Sequence, residues 1–142
     1  MKKYLLLFIS LTFSLGIHAQ FNTAVTVSPV VEGNNVTIRF FAPKAIKVEL
    51  SGGFIPAREV TTERGTFAMS GPVEMIEGEN GIWEYTAENV APDFYTYTIA
   101  VDGIRMLDPR NLQTVRDGQN VSNLVIVPGE KSELYIDAKE QK

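Results

Sequence analysis

The stretch Tyr95-Thr96-Tyr97-Thr98-Ile99-Ala100-Val101-Asp102-Gly103 decides the fold. Tyr95, Tyr97, Ile99 and Val101 stand two apart, and an extended chain turns residues two apart onto one face. Asp102-Gly103 is a tight-turn pair, and Asp108-Pro109 stops the short element that follows. Outward from this strand the same pattern repeats: short alternating runs divided by Gly, Pro, Asn and Asp, as in an all-β sandwich. Strands are read near residues 24–28, 36–41, 47–51, 72–76, 82–86, 94–101, 104–106 and 121–127. That reading gives a sandwich of about seven or eight strands. Gly33-Asn34-Asn35 closes the first hairpin, since glycine and asparagine tolerate positive φ. Val36, Ile38 and Phe40 share one face, Val48 and Leu50 alternate with Lys47 and Glu49, and Trp83 and Tyr85 oppose Glu84 and Thr86. Tyr97, Ile99, Val101, Trp83, Ile38 and Phe40 are expected in one core. Residues 52–71 are the least regular and read as a long loop or a poorly ordered edge.

Residues 1–19 read as a secretory leader. Lys2 and Lys3 form its charged start, residues 4–15 its apolar run, and Ile17-His18-Ala19 an acceptable cleavage triplet. The run is shorter than the ~20 residues that span a bilayer, and no lysine or arginine directly follows it. The mature protein is therefore expected to start at Gln20, to be periplasmic or extracellular, and to have no membrane partner after cleavage. Without cysteine, lipid anchoring through a thiol is impossible, and stability must come from the core alone. Removing 19 of 142 residues leaves 123, enough for one domain. Lys2 and Lys3 leave with the leader, so the formal charge moves from −4 to −6. An acidic chain without a basic cluster argues against a nucleic-acid partner.

The sole histidine, His18, lies in the leader, so the mature chain holds neither histidine nor cysteine. Ser-His-Asp triads, Cys-His nucleophiles and histidine zinc sites are excluded together. No Gly-x-Ser-x-Gly elbow occurs either. Glu74, Glu77, Glu79 and Glu84 crowd a Gly-Glu-Asn-Gly turn and read as a solvated acidic loop rather than a glycosidase pair. Asp102, Asp108 and Asp117, with Asn111 and Asn120, lack the spacing of a calcium loop and read as turn residues. No metal, cofactor or catalytic residue is expected.

Several pieces, taken in order, carry a family likeness: Ala42-Pro43-Lys44-Ala45, then Lys47-Val48-Glu49-Leu50-Ser51-Gly52, Gly81-Ile82-Trp83, and the Tyr95–Gly103 strand and turn with Asp108-Pro109-Arg110-Asn111. Over roughly residues 25–128 they resemble the early-set, immunoglobulin-like domain at the N-terminus of secreted bacterial esterases of the feruloyl-esterase type. That domain is related to glycogen- and starch-binding early-set modules, carbohydrate-binding module family 48. The resemblance implies an early-set sandwich over residues 20–128 and a tail over 129–142 that would lead into a hydrolase. It concerns the non-catalytic domain only.

The glycogen-binding relatives use a tryptophan after a Ser-Gly-x-Phe turn, another after a Val-Asp-Gly turn, a lysine in the preceding strand and a downstream asparagine. This chain has Ser51-Gly52-Gly53-Phe54 followed by no tryptophan, and Ile104-Arg105-Met106 after Asp102-Gly103; the lysine position falls near Thr98. Both stacking tryptophans are missing, so the starch-type site is not carried over and glycan affinity by that route is expected to be negligible. The carbohydrate-contact candidates that are left are Arg105, Asn120 and Asn123, with Trp83 as a stacking alternative to its core reading. In the tail, Leu134, Tyr135 and Ile136 are the docking candidates, suited to adding one edge strand to a neighbour. Two functions are expected: an accessory module packing against a hydrolase or esterase domain with weak polysaccharide contact, or a stand-alone exported interaction domain.

Overall fold

The structure is a computed structural model that describes residues 26–133. The described chain is all-β, with twelve strands and a single turn of 3-10 helix at Glu79–Gly81. The strands are β1 (Val30–Glu32), β2 (Asn35–Phe41), β3 (Val48–Gly52), β4 (Ala57–Thr62), β5 (Gly65–Ser70) and β6 (Val73–Glu74). They continue as β7 (Ile76–Glu77), β8 (Ile82–Ala87), β9 (Asp93–Val101), β10 (Ile104–Met106), β11 (Thr114–Asp117) and β12 (Asn120–Val127). One sheet has the order β1-β2-β8-β7. The other runs β11-β12-β9-β3-β6, with β10 also paired to β9. Every pairing is antiparallel.

Period-two alternation supplies the core. On β2, Val36, Ile38 and Phe40 are buried while Thr37 and Arg39 are half-buried on the other face. In register with them, Ala87, Tyr85 and Trp83 of β8 line the same side. From the second sheet come Val48, Leu50, Tyr97, Ile99, Val125 and Val127, all in one apolar cluster with Phe54, Ile55 and Met75. Burial of that shared surface is the main stabilising term. The expected core residues are all there, except that Val101 is half-buried and packs at the margin.

The sequence reading needs four corrections. Residues 26–28 are not a strand; the first strand is β1, beyond Pro29, and Ala24 and Val25 lie outside the described residues. The strand read at 72–76 is two: β6 pairs β3 in one sheet and β7 pairs β8 in the other. Met75 sits buried at the crossing and donates its N–H to the Val48 carbonyl at 2.8 Å. Residues 52–71 are not an irregular loop, because β4 and β5 form a regular hairpin paired to neither sheet. A fourth strand-level feature, β11, went unread because Thr114-Val115-Arg116-Asp117 has no apolar face.

Two close approaches fix the loops around the sheets. Asp102 and Gly103 both have positive φ, 49° and 83°, as the two-residue hairpin between β9 and β10 requires. The Asp102 carboxylate also accepts from the backbone N–H groups of Ile46 and Lys47, at 2.9 and 2.8 Å. It thereby ties the β2–β3 loop to the β9–β10 turn. Gly81 lies so near Pro43 that a Cβ there would stand 2.4 Å from the proline Cα. This contact brings the loop against β8, where Trp83 donates its Nε1–H to the Ala42 carbonyl at 3.0 Å.

Candidate functional site

Of the four carbohydrate-contact candidates, the fold brings two to one place. Arg105 on β10 and Asn120 at the start of β12 line a surface hollow of about 360 Å³ with Thr96, Val115, Asp117 and Ser122. Alternation explains the gathering. Asn123, Val125 and Val127 of β12 point into the core, so Ser122 falls on the outer face, in register with Val115 of β11. Tyr97 and Ile99 point inward from β9, so Thr96 lies outward. Arg105 donates from Nη2 to the Ser122 hydroxyl at 3.4 Å. Asp117 and Asn120 face each other across the β11–β12 turn. The hollow offers a guanidinium, a carboxylate, an amide and two hydroxyls, all able to bond sugar hydroxyl groups. None of its lining residues is aromatic.

The other two candidates are inside. Trp83 is 5% exposed, with its ring in the core cluster and its one polar atom bonded to Ala42. A sugar cannot stack on a face already covered by protein. Asn123 is 0% exposed. Its Oδ1 accepts from the Asp108 N–H at 2.7 Å, and its Nδ2 donates to the carbonyls of Asp108 and Asn111 at 3.2 and 3.0 Å. That side chain clamps the 107–113 loop to β12 and has no capacity left for a ligand. Leu134, Tyr135 and Ile136 lie outside the described residues. Just before them, residues 129–133 stay on the body of the domain: Ser132 is fully buried and caps the Gly129 carbonyl with N–H and hydroxyl.

Asn123 belongs to a buried polar network that the sequence reading missed. The Asp108 carboxylate, 1% exposed, accepts from the Ser28 hydroxyl at 2.7 Å and the Tyr97 hydroxyl at 2.9 Å. Its other oxygen accepts from the Arg110 N–H at 2.9 Å. Asn111 donates to the Tyr97 oxygen at 3.1 Å and the Leu124 carbonyl at 2.7 Å. Among the described residues no buried side-chain polar atom lacks a partner. Burial pushes the Tyr97 hydroxyl above its ordinary pKa of 10.0, and the Asp108 carboxylate adds to this against the hydrogen bonds of Asn111 and Ser28. A network satisfied this fully braces loops against strands.

No protein-family model matches the sequence, and no curated protein does. Among solved structures, the pullulanase of Anoxybacillus sp. LM18-11 complexed with maltotriose is 21% identical over 73% of this chain, with a TM-score of 0.47. The pullulanase of Bacillus acidopullulyticus is 20% identical over 71%, with a TM-score of 0.46. The apo pullulanase of Paenibacillus barengoltzii is 21% identical over 70%, with a TM-score of 0.44. This chain spans only 12–14% of the length of those proteins. By its own sheets and core it is an all-β sandwich domain.

Proposed function

We propose that the protein is a non-catalytic accessory module of an exported glycan-degrading system of the esterase type, packing beside a hydrolase domain and contacting polysaccharide weakly. The observation that carries this reading is the meeting of Arg105 and Asn120 in one polar hollow on the outer face of a sheet. Arg105 follows the Asp102-Gly103 turn, after which the glycogen-binding relatives carry a tryptophan, and Asn120 is one of two asparagines that can match their downstream one. The hollow has polar groups for sugar hydroxyls and no aromatic ring for a sugar face. Contact is therefore weak, since each missing ring forgoes roughly 1 kcal/mol. Incubating the exported protein with a feruloylated, acetylated xylan tests the reading. The protein should be partly depleted from solution by the polymer while ferulate and acetate stay at the level of a heat-killed control. Release of either acid would refute it, and so would depletion no greater than that of an inert protein.

A second reading, a stand-alone interaction domain, draws support from the β4–β5 hairpin. It is exposed along most of its length, half-exposes Phe67, and pairs with neither sheet.

A further inference from the structure

The sheet on the opposite side of the sandwich carries a hollow that the reading above does not involve, lined in part by Glu79 and Glu84, which the sequence reads as a solvated acidic loop. The hollow runs along β8 from the turn at residues 78–80 past Ile82 and Glu84 to Thr86, with Arg39 of β2 and Ile76 of β7 beside it. β7 is two residues long and covers only Trp83 and Glu84 of β8. From Tyr85 to Ala87, β8 therefore has a neighbour on one side only, β2. The hollow holds about 650 Å³. That lies inside the ~300–1,000 Å³ range of small-ligand sites. Ile76, Ile82 and Tyr85 give it apolar surface, and Arg39, Glu79, Asn80, Glu84 and Thr86 polar surface.

The polar groups are arranged as paired donors and acceptors. Arg39 and Glu84 are cross-strand partners and form an ion pair through Nε and Oε2, with 35% and 45% of their side chains exposed. Among the described residues, the terminal guanidinium nitrogens and the second carboxylate oxygen have no hydrogen-bond partner, nor has the Tyr85 hydroxyl. A donor edge thus stands beside an acceptor edge, next to Ile76, which is 76% exposed. Adjacent hydroxyls of a sugar both donate and accept, while its C–H face is apolar; the hollow matches both. Charge narrows the choice. Two carboxylates, Glu79 and Glu84, outweigh the one guanidinium, in a chain of formal charge −4. A uronic-acid polymer would be repelled.

We propose that this hollow is a separate binding site for a neutral oligosaccharide. It goes beyond the function proposed above, because it lies on the other sheet from Arg105 and Asn120, and either site can bind if the other does not. Without a fully exposed aromatic ring, its affinity is in the range of ~1 mM.

Amide chemical shifts of the ¹⁵N-labelled exported protein, titrated to roughly 10 mM with maltohexaose, cellohexaose, xylohexaose and a galacturonate oligomer, test the proposal. At least one neutral hexaose should shift amides of residue 39 and residues 76–86. Ile76→Ser, which changes an exposed side chain, should weaken that binding about tenfold. Arg39→Ala should do the same, while Arg105→Ala with Asn120→Ala should leave these shifts unchanged. Shifts confined to residues 96–122 would support the first hollow and overturn this one. Shifts absent for every neutral hexaose, produced by the galacturonate alone, or retained in folded Ile76→Ser would each overturn the proposal.

Discussion

Removing the Asp108 carboxylate would strand two buried donors, the hydroxyls of Ser28 and Tyr97, and the part-buried N–H of Arg110. At 1–3 kcal/mol per unsatisfied group, Asp108→Ala should cost about 3 kcal/mol or more of unfolding free energy. Asp108→Asn should cost clearly less, since its amide oxygen can still accept from Arg110. Denaturant curves that superimpose for the two variants would contradict the network. Tyr97 adds a pH signature. Its folded pKa is raised above 10.0, so the neutral hydroxyl is favoured by folding. That contribution is complete below pH 10, the unfolded value, and is lost as pH rises above it. Stability should therefore fall above pH 10, and less steeply in Tyr97→Phe, as guanidinium titrations at stepped pH would show. Trp83→Ala should cost about 3–5 kcal/mol through the cavity it leaves. At this scale the sequence was partly legible. Trp83 alternates with Tyr85 and reads as core. Asn123 precedes Val125 and Val127 at spacings of two, so the alternation that places them inside also places it there. The pairing of Tyr97 with Asp108 was not legible, because it depends on where a loop returns.

The elements show why period two reveals some strands and conceals others. β2, β3 and β9 each bury one face, so apolar and polar residues largely alternate, while β12 shows itself by the apolar run Leu124-Val125-Ile126-Val127; the existence of all four follows from the sequence. β4 buries neither face, so burial imposes no alternation on it. Its pairing with β5 rests on the backbone ladder and on local bonds such as that between the Thr61 and Thr66 hydroxyls at 3.0 Å. A two-stranded ribbon is marginal on its own. The buried Phe54, packed edge-on against Tyr95 and Tyr97, and buried Ile55 hold its base to the core. Replacing residues 57–70 with a short glycine-serine link should leave the thermal midpoint within a few degrees of the parent. A loss of more than about 10 °C, equivalent to roughly 2 kcal/mol or more, would mean the hairpin stabilises the sandwich directly. The split of 72–76 into β6 and β7 was hidden for another reason. Val73, Glu74 and Met75 keep an alternating look, and the chain crosses from one sheet to the other at Met75.

For the molecule as a whole, the sandwich turns its apolar alternation inward and leaves two hollowed sheet faces outward. Composition shows that residues 26–133 hold neither histidine nor cysteine, and Arg105 and Asn120 were legible only as two of four contact candidates, with Asn123 and Trp83. The sequence could not say that Thr96, Asp117 and Ser122 would join them, because those come from three strands whose neighbours are set by topology. The central claim is that Arg105 and Asn120 give this module its weak hold on polysaccharide. Affinity electrophoresis in gels cast with soluble xylan or mixed-linkage glucan tests it most directly, with wild type run beside the Arg105→Ala/Asn120→Ala double variant. Both side chains are exposed, so the variant should fold and melt like the parent. At least one polysaccharide should retard the wild type, and the double variant should lose most of that retardation. Equal retardation of a folded double variant, or none of the wild type in either gel, would contradict the central claim.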